Sequence, residues 1–438
     1  MSGILIQVLQ FFASLSLLVL IHEFGHYITA RMFGIRVEKF YLFFNPWFTL
    51  YKRQIGNTEY GIGWLPMGGY VSLAGMIDES MNVDQMKEEP KPWEFRTKPA
   101  WQRLIVMLAG IIMNIILAIV IYSGILYTWG TSYIHNDDVV NGYVFNERAE
   151  GLGFVDGDRI VAIDGEGIEN IMEIREKLII ADDDRTVTVA RGNENIDITL
   201  PLSELVATRE SGEFKDFCMV FLPFEIKTVD TDSAVAAGLQ SEDKVLSIAG
   251  EPVVDFVHGK EMLQTYANQS IAIEVERNGD VLELNVPISE DARMGVSVKM
   301  IEPRTREYGF WESIPAGAAF TWDKVVSYWD QLKMIVNPET KGYKELGGFI
   351  AIGSIFPKEW SWQSFWSLTA FISVVLAIMN LLPIPGLDGG HALVTIWEIV
   401  TRRKPSDKFL EILQYIGLGF LLLLMLYANG SDIVRLFS

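Results

Sequence analysis

The chain has 438 residues, half of them hydrophobic, and a formal net charge of −20. The excess negative charge lies in residues 131–308, which contain 36 acidic and 16 basic residues, so two neutral apolar ends enclose one acidic block. This distribution argues against a nucleic-acid-binding protein, and Cys218, the single cysteine, excludes an intrachain disulfide or a cysteine-ligated zinc. The composition predicts a membrane protein that carries a soluble acidic domain.

The first predicted element, within residues 1–35, is a membrane-spanning helix that contains the pattern His-Glu-x-x-His. Its apolar stretch lacks the basic start and the cleavage site of a signal peptide, so we expect it to be retained. His22 and His26 share one helix face, where both can bind one Zn²⁺, and Glu23 beside them can act as general base. Because about 27 Å of helix separates Ile4 from His22, we expect the site inside the membrane, near its far face.

Basic residues are frequent in the next predicted region, 36–99, and absent before the first helix. The positive-inside rule therefore predicts an external N-terminus and a metal site near the cytoplasmic face. A strand at 40–44 is expected to end at Pro46, and residues 78–99 are expected to form a polar cytoplasmic connector. Residues 60–71 are too glycine-rich for a helix and too apolar for a cytoplasmic loop, so we expect a re-entrant β-hairpin beside the metal. The alternative is a surface hairpin held at the membrane by its aromatic side chains.

Asn114, His135 and His258 are further polar residues that could contact the metal. Asn114 is the one strongly polar residue inside the second predicted span, 100–129. A buried asparagine usually joins two helices, and a role near the metal is the alternative. His135 and His258 lie in the acidic block and are expected to be solvated rather than metal ligands.

The acidic block contains two copies of one pattern, which begin at Gly151 and Gly238 and lie 87 residues apart. Each copy continues through a helical stretch into alternating strands. Both copies resemble PDZ domains of the bacterial kind, in which a Gly-Leu-x-x-Gly-Asp-x-Ile pattern precedes a strand. The sequence therefore predicts two PDZ-like α/β domains, at residues 130–220 and 221–300.

Residues 301–364 are predicted to be an amphipathic, membrane-associated segment. Apolar residues at steps of three and four define a helical stripe made of Trp311, Ile314, Ala318, Trp322, Val325, Trp329, Leu332 and Val336. Such a stripe is either a face packed in the core or, given its tryptophans, one side of a helix that lies on the outer surface of the bilayer.

A third span, within residues 365–398, ends where two prolines must break the helix. Asp388 follows at a membrane depth comparable with that of the histidine motif, and an intramembrane carboxylate is costly without a partner. Because a zinc site with two histidines still lacks a ligand, Asp388 is the predicted third ligand. The alternative is a capping role at the next helix. Residues 399–438 are predicted to contain a cytoplasmic turn and a fourth span.

The two motifs together resemble the signature of the site-2 proteases, a family of intramembrane zinc metalloproteases, and in particular its bacterial branch with tandem PDZ domains. The signature is His-Glu-x-x-His on the first span with Asn-x-x-Pro-x-Pro-x-Leu-Asp-Gly on the third, here at residues 380–389. The resemblance covers essentially the whole chain. It implies a polytopic α-helical membrane protein with four transmembrane helices, a re-entrant β-hairpin and two PDZ-like α/β domains.

The resemblance also implies roles for individual residues. His22, His26 and Asp388 become ligands of Zn²⁺, and Glu23 becomes the catalytic base. The residues implied to contact substrate are Asn380, Pro383, Pro385, Gly61 and Gly63. One departure is Gly348-Phe349, where family members commonly have Gly-Pro, so a substrate-gating role is not carried over to this segment.

In a cell, the resemblance implies an enzyme of the bacterial inner membrane, with both termini and the PDZ domains in the periplasm and the active site near the cytoplasmic face. Implied substrates are single-pass transmembrane proteins, such as anti-sigma factors or signal-peptide remnants, already trimmed by an upstream site-1-type protease. An alternative is a non-catalytic, membrane-anchored PDZ scaffold with a closed structural metal site, for which His391 is the candidate fourth ligand. Metal transport is disfavoured, because four spans with one site offer no evident relay.

Overall fold

The computed structural model describes residues 3–76 and 89–437. The chain divides into two compact units, one formed by Met1–Thr131 with Arg306–Ser438 and the other by Ser132–Thr305. The predicted connector 78–99 is described only from residue 89 onward, and its first part lies outside the described residues.

The secondary structure begins with α1 (Gly3–Met32), β1 (Val37–Ile55), β2 (Thr58–Leu73) and α2 (Ala100–Trp129). The middle of the chain forms β3 (Thr131–Tyr133), β4 (Tyr143–Phe145), α3 (Glu147–Gly151), β5 (Arg159–Ile163), β6 (Glu166–Gly167), α4 (Ile171–Ile179), β7 (Arg185–Arg191), β8 (Glu194–Leu200), α5 (Leu202–Ser211), β9 (Cys218–Val220), β10 (Ile226–Val229), α6 (Asp232–Ala236), β11 (Lys244–Ile248), β12 (Glu251–Pro252), α7 (Phe256–Gln264), β13 (Ser270–Arg277), β14 (Asp280–Pro287), β15 (Val296–Val298) and β16 (Arg304–Arg306). The chain ends with α8 (Phe310–Val336), α9 (Phe349–Ser354), α10 (Trp362–Leu381), α11 (Asp388–Thr401) and α12 (Asp407–Phe437).

Among the described residues, four helices are long and apolar enough to cross a membrane. They are α1, α2, α10 and the stretch Lys408–Arg435 of α12, in agreement with the four predicted spans. Helix α10 begins at an N-cap, where the hydroxyl of Ser361 accepts a hydrogen bond from the backbone N–H of Ser364. It ends just before Pro383, as expected because the residue that precedes a proline avoids the helical conformation.

Helix α2 lies at the centre of the first unit, and α1, α8, α10 and α11 all contact it. Its residues Ala118 and Tyr122 pack against Ala370 and Val374 of α10. Small residues on both helices let the backbones approach closely, which matters in lipid because apolar surface there gains little from burial between helices.

Strands β1 and β2 form a two-stranded antiparallel sheet in which one segment of β1 has neighbours on both sides. Residues 39–42 pair with 59–62 and also with 69–72. The strand predicted to end at Pro46 instead continues to Ile55, although the regular pairing breaks between Phe44 and Thr49. The break follows from the backbone, because Phe43 and Trp47 both have positive φ angles and turn the chain inside the strand.

The second unit, all of whose residues are described, consists of two halves that share the order strand, helix, two strands, helix, three strands. The first half has one additional helix, α5, before its last strand. Each half contains a four-stranded sheet, with the strand order β6-β5-β7-β8 in the first and β12-β11-β13-β14 in the second. In each sheet one helix, α4 or α7, connects the second strand in sequence to the third. Each half has its own apolar core, built around Ile160 and Val187 in the first and around Ile248 and Ile273 in the second. The alternating apolar residues of the strands account for these cores.

Two ion pairs, each with a buried aspartate, establish the correspondence between the halves. Arg191 binds Asp158 through two hydrogen bonds of 2.7 Å and also donates to the carbonyl of Gly153. Arg277 makes the same contacts with Asp243 and with the carbonyl of Gly238. The equivalent of Gly238 is therefore Gly153, at an offset of 85 residues (238 − 153).

The predicted correspondence of Gly151 with Gly238, at an offset of 87, is wrong by two residues. The first copy contains two successive pairs of a glycine and an apolar residue, and the second pair, Gly153-Phe154, occupies the structural position. In the corrected register Gly157 matches Glu242. Both residues have positive φ angles, 91° and 71° respectively, so Glu242 adopts a conformation for which glycine is favoured.

The structure answers the question left open for the apolar stripe of α8. The buried positions on this helix include Ser313, Gly317 and Thr321, which are four residues apart and form a narrow face of small side chains. By contrast, Trp311 and Trp322 are 80 % and 64 % exposed. The interpretation of the whole stripe as a core face is therefore wrong, because the close contact of α8 with α2 selects small residues rather than tryptophans.

Candidate metal centre

The two histidines of the predicted motif lie one turn apart on the buried face of α1, and Asp388 is the first residue of α11. His22 and His26 are 8 % and 7 % exposed. The chain between α10 and α11 contains Pro383 and Pro385, which cannot continue a helix, and it returns the backbone to α1. The sequence therefore places one carboxylate opposite two imidazoles that are more than 360 residues earlier.

Three donor atoms converge at this point. The Oδ2 atom of Asp388 lies 3.1 Å from Nε2 of His22 and 3.2 Å from Nε2 of His26, and the two Nε2 atoms are 3.3 Å apart. A tetrahedral zinc with bonds of about 2.0–2.1 Å has its ligand atoms about 3.3–3.4 Å from one another. The triangle of donor atoms therefore has the size that zinc requires.

The hydrogen bonding of the carboxylate supports the same interpretation. Oδ2 of Asp388 is buried and has no hydrogen-bond partner among the described residues, although both Nε2 atoms are within 3.2 Å. Neither imidazole directs a well-aligned N–H at this oxygen. A cation between the three atoms would satisfy it, so the residues present fit a zinc ion.

Helix α2 supplies a partner to the far nitrogen of each imidazole. Nδ1 of His26 lies 2.8 Å from the carbonyl oxygen of Val106, so it donates its proton there and leaves Nε2 free to bind a metal. Nδ1 of His22 lies 3.2 Å from Nδ2 of Asn114. The residue that the sequence left between helix packing and a metal role therefore contacts a candidate ligand directly.

Sequence reasoning missed Gly110, which brings α2 against the two imidazoles. A Cβ atom at this position would lie 2.5 Å from Nε2 of His26 and 2.7 Å from Cε1 of His22. On the facing helix, a Cβ atom at Gly25 would lie 2.5 Å from the carbonyl oxygen of Ala109. A signal was present in the sequence, since Gly110 precedes Asn114 by one helical turn.

A cavity of about 360 Å³ opens beside the donor atoms. Of the predicted site residues, His22, His26, Asp388, Glu23 and Asn380 line it. His391 lines it as well but is not in the group of three side chains, found among the described residues, whose ligand atoms lie within 4.8 Å of one another.

Strand β2 borders the cavity through residues other than the predicted glycines. Gly68, Gly69 and Tyr70 are among its lining residues, whereas Gly61 and Gly63 are not among the described residues that line it. A Cβ atom at Gly61 would meet the ring of Tyr41, and one at Gly63 would meet the carbonyl of Phe44. These two glycines permit close packing of β2 on β1.

Pro383 and Pro385, the prolines of the third-span motif, are not among the described residues that line the cavity. A Cβ atom at Gly417 of α12 would meet the carbonyl of Pro385, so Pro385 packs against the fourth span. Gly386 and Leu387, which follow it, line the cavity.

The sequence profile of peptidase family M50 matches residues 10–424, a range that includes both parts of the metal centre. The chain belongs to peptidase family M50. The resemblance to the site-2 proteases is thereby confirmed, and so are the predictions of a zinc-dependent metalloprotease and of Zn²⁺ as its cofactor.

Individual relatives of this M50 peptidase match it from end to end. It is 30 % identical to a Vibrio cholerae protein named "Putative zinc metalloprotease", over 100 % of both chains. It is 28 % identical to the regulator of sigma-E protease RseP of Escherichia coli strain K12, over 98 % of both chains. It is 25 % identical to a Neisseria meningitidis protein named "Putative zinc metalloprotease NMA0084", over 98 % of this chain and 99 % of the relative.

Proposed function

We propose that this M50 peptidase hydrolyses peptide bonds within the transmembrane segments of single-pass membrane proteins in a bacterial inner membrane. One observation carries the proposal: the donor atoms of His22, His26 and Asp388 converge beside a cavity among helices that are long and apolar enough to span a bilayer. A peptidase site in this position acts on peptide that lies in the membrane rather than in solution.

Each side chain of the centre has a proposed role. His22, His26 and Asp388 hold the zinc, which when bound supplies a Lewis acid for the scissile carbonyl and promotes ionisation of water. Glu23 lines the same cavity, so it can take the proton from the attacking water and return it to the leaving amine. The carboxamide of Asn380, whose Nδ2 is 3.5 Å from Nε2 of His22, lies where it can donate to the oxygen that becomes negative.

The number of ligands favours a catalytic site over a structural one. Structural zinc sites are closed by four protein ligands, whereas catalytic sites keep one position open. His391 lies outside the group of three donor atoms among the described residues. The fourth position is therefore proposed to be open to water and substrate.

The sheet beside the cavity is proposed to receive the substrate as an added strand. A transmembrane helix must unwind before cleavage, and its freed N–H and C=O groups then need new partners. Residues 69–72, which pair with 39–42, form the edge segment of the sheet next to the cavity, and Gly69 and Tyr70 line that cavity. This edge can supply the missing hydrogen bonds by β-strand addition. In this proposal the hairpin is re-entrant, and the predicted contacts of Gly61 and Gly63 with substrate are indirect, through the packing of β2.

The second unit is proposed to control which substrates reach the site. Its two similar halves are interpreted as PDZ-like domains, and the positive-inside rule places them with both termini in the periplasm. They would admit proteins already trimmed by an upstream protease and hold back larger ones. Because a relative is named "Regulator of sigma-E protease RseP", trimmed anti-sigma factors are the first substrates to test, followed by signal-peptide remnants.

The test is the variant Glu23→Gln in the purified full-length protein, with a model single-pass substrate in detergent. We expect zinc to remain bound and cleavage to be lost. Glu339→Gln, an exposed position, is the matched control and should cleave normally. Cleavage by Glu23→Gln at the wild-type rate would refute the proposed mechanism. The inactive variant then serves as a trap, and mass spectrometry of proteins that co-purify with it from membranes identifies the substrates.

A further inference from the structure

Asn114 is fully buried in the middle of α2, and its side chain has one contact that points to the metal centre. Nδ2 lies 3.2 Å from Nδ1 of His22. The other end of the carboxamide, Oδ1, is buried with no hydrogen-bond partner among the described residues. A fully buried amide oxygen without a partner is unusual and indicates a function or a missing partner.

The position of the proton on His22 determines what Asn114 must do. Nε2 of His22 faces Asp388 and His26, so a zinc ion held by these three residues binds Nε2. In a neutral imidazole the proton is then on Nδ1, which must donate it to an acceptor. His26 has such an acceptor in the carbonyl of Val106.

For His22 the neighbouring group at hydrogen-bond distance from Nδ1 is the carboxamide of Asn114. The two ends of a carboxamide have nearly the same shape, and a turn of 180° exchanges them. Such a turn places Oδ1, the atom without a partner, against Nδ1 of His22. The N–H of the metal-binding tautomer then has an acceptor.

We propose that Asn114 is a positioning residue for the metal centre: its Oδ1 accepts a hydrogen bond from Nδ1–H of His22 and fixes the tautomer and the ring orientation that bind zinc. This inference rests on the proposed ligand role of His22. Asn114 does not itself touch the metal or the substrate.

The backbone of Asn114 has a separate, structural contact that allows the two roles to be distinguished. Its carbonyl oxygen accepts a hydrogen bond of 2.8 Å from the hydroxyl of Ser373 on α10. This contact depends on the backbone and survives a change of the Asn114 side chain. Ser373→Ala removes it without altering the carboxamide that faces His22.

The experiment measures zinc affinity by competition with a chelator in the full-length protein in detergent. Asn114→Leu keeps the side-chain size but has no acceptor, and we expect its zinc affinity to fall about 10- to 100-fold. Asn114→Asp keeps an acceptor and should retain an affinity close to that of the wild type, as should the control Ser373→Ala. A wild-type affinity in Asn114→Leu, or equal losses in Asn114→Leu and Asn114→Asp, would refute the positioning role.

A second measurement covers the case in which Asn114→Leu does not fold. In zinc-loaded protein with ¹⁵N-labelled histidine, the Nδ1–H proton of His22 should shift downfield in Asn114→Asp, because a carboxylate is the stronger acceptor. An unchanged resonance would contradict the proposed bond. If the wild-type protein binds no zinc, the proposed ligand set is wrong. If the wild-type protein binds zinc and Asn114→Leu binds it equally well, only the positioning role of Asn114 is wrong.

Discussion

Gly110 of α2 lies so close to His26 of α1 that a methyl group on the Gly110 α-carbon would clash with Nε2 of His26. A Cβ atom at Gly110 would be 2.5 Å from that nitrogen. The backbone of α2 therefore forms one wall of the metal centre, and the crossing of α1 and α2 depends on glycine at this point.

The first prediction concerns Gly110→Ala. The added methyl group must displace either imidazole, and a shift of about 1 Å at a catalytic centre can cost on the order of 100-fold in rate. We expect zinc affinity and substrate cleavage to fall at least tenfold, measured by chelator competition and by cleavage of a single-pass substrate. Gly124→Ala is the control on the same helix, where a Cβ atom has no neighbour within 4 Å. Equal behaviour of the two variants would show that α2 is free to move away.

The second prediction separates an open metal site from a closed one. Asp388→Ala removes one of the three converging donor atoms, so the purified variant should contain far less than one zinc per chain by elemental analysis. His391→Ala should keep its zinc, because His391 lies outside the group of three ligands. If the single substitution His391→Ala is enough to remove the zinc, the site is a closed structural one and the support for a catalytic role is lost.

The approach of Asp388 to the histidines was predictable because its evidence is local and chemical. Two histidines four residues apart fix a face on α1, and a carboxylate after two prolines at similar membrane depth is a costly feature that needs a partner. Neither feature requires knowledge of how the helices cross. The role of Gly110 could not be predicted in this way, because glycine occurs in apolar helices for many reasons and only the crossing of α1 and α2 brings this one against the imidazoles.

The same distinction applies to α8, for which the sequence leaves two interpretations open. Its apolar stripe predicts a helix correctly, but periodicity does not show whether lipid or protein contacts a given face. In lipid, tryptophans can remain exposed and the small residues make the helix contact. The offset between the halves of the second unit failed for another reason. It was based on the glycine and leucine at Gly151, although the rest of the pattern, Gly157-Asp158-x-Ile160, fits a start at Gly153. The bond from Arg191 to the carbonyl of Gly153 confirms that register.

The third prediction tests the small face of α8. A Cβ atom at Gly317 would lie 2.6 Å from the backbone nitrogen of Ser123 on α2, so Gly317→Val should force the two helices apart and lower the midpoint of thermal unfolding in detergent. Ala319→Val is the control, since Ala319 is exposed on the same helix and should unfold near the wild-type temperature. If both variants match the wild type, the contact of α8 with α2 does not contribute to stability.

The fourth prediction compares the two buried ion pairs of the second unit. Asp243 and Asp158 are 0 % and 1 % exposed, whereas the side chains of their partners, Arg277 and Arg191, are 20 % and 37 % exposed. Removing one member of a buried pair leaves an uncompensated charge, which typically costs about 3–5 kcal/mol. Arg277→Met should approach this range, and Arg191→Met should cost less because solvent reaches its pair more easily.

Amide hydrogen exchange in the full-length protein measures this difference, since each half of the second unit has its own core. We expect Arg277→Met to accelerate exchange in strands β11–β14 and Arg191→Met to accelerate it, to a smaller extent, in β5–β8. Arg293→Met, at an exposed position in the second half, should leave both sets of strands unchanged. If Arg277→Met exchanges no faster than Arg293→Met and the wild type, Asp243 is stabilised without its arginine, through the hydrogen bond of 2.8 Å that it accepts from the backbone N–H of Gln240.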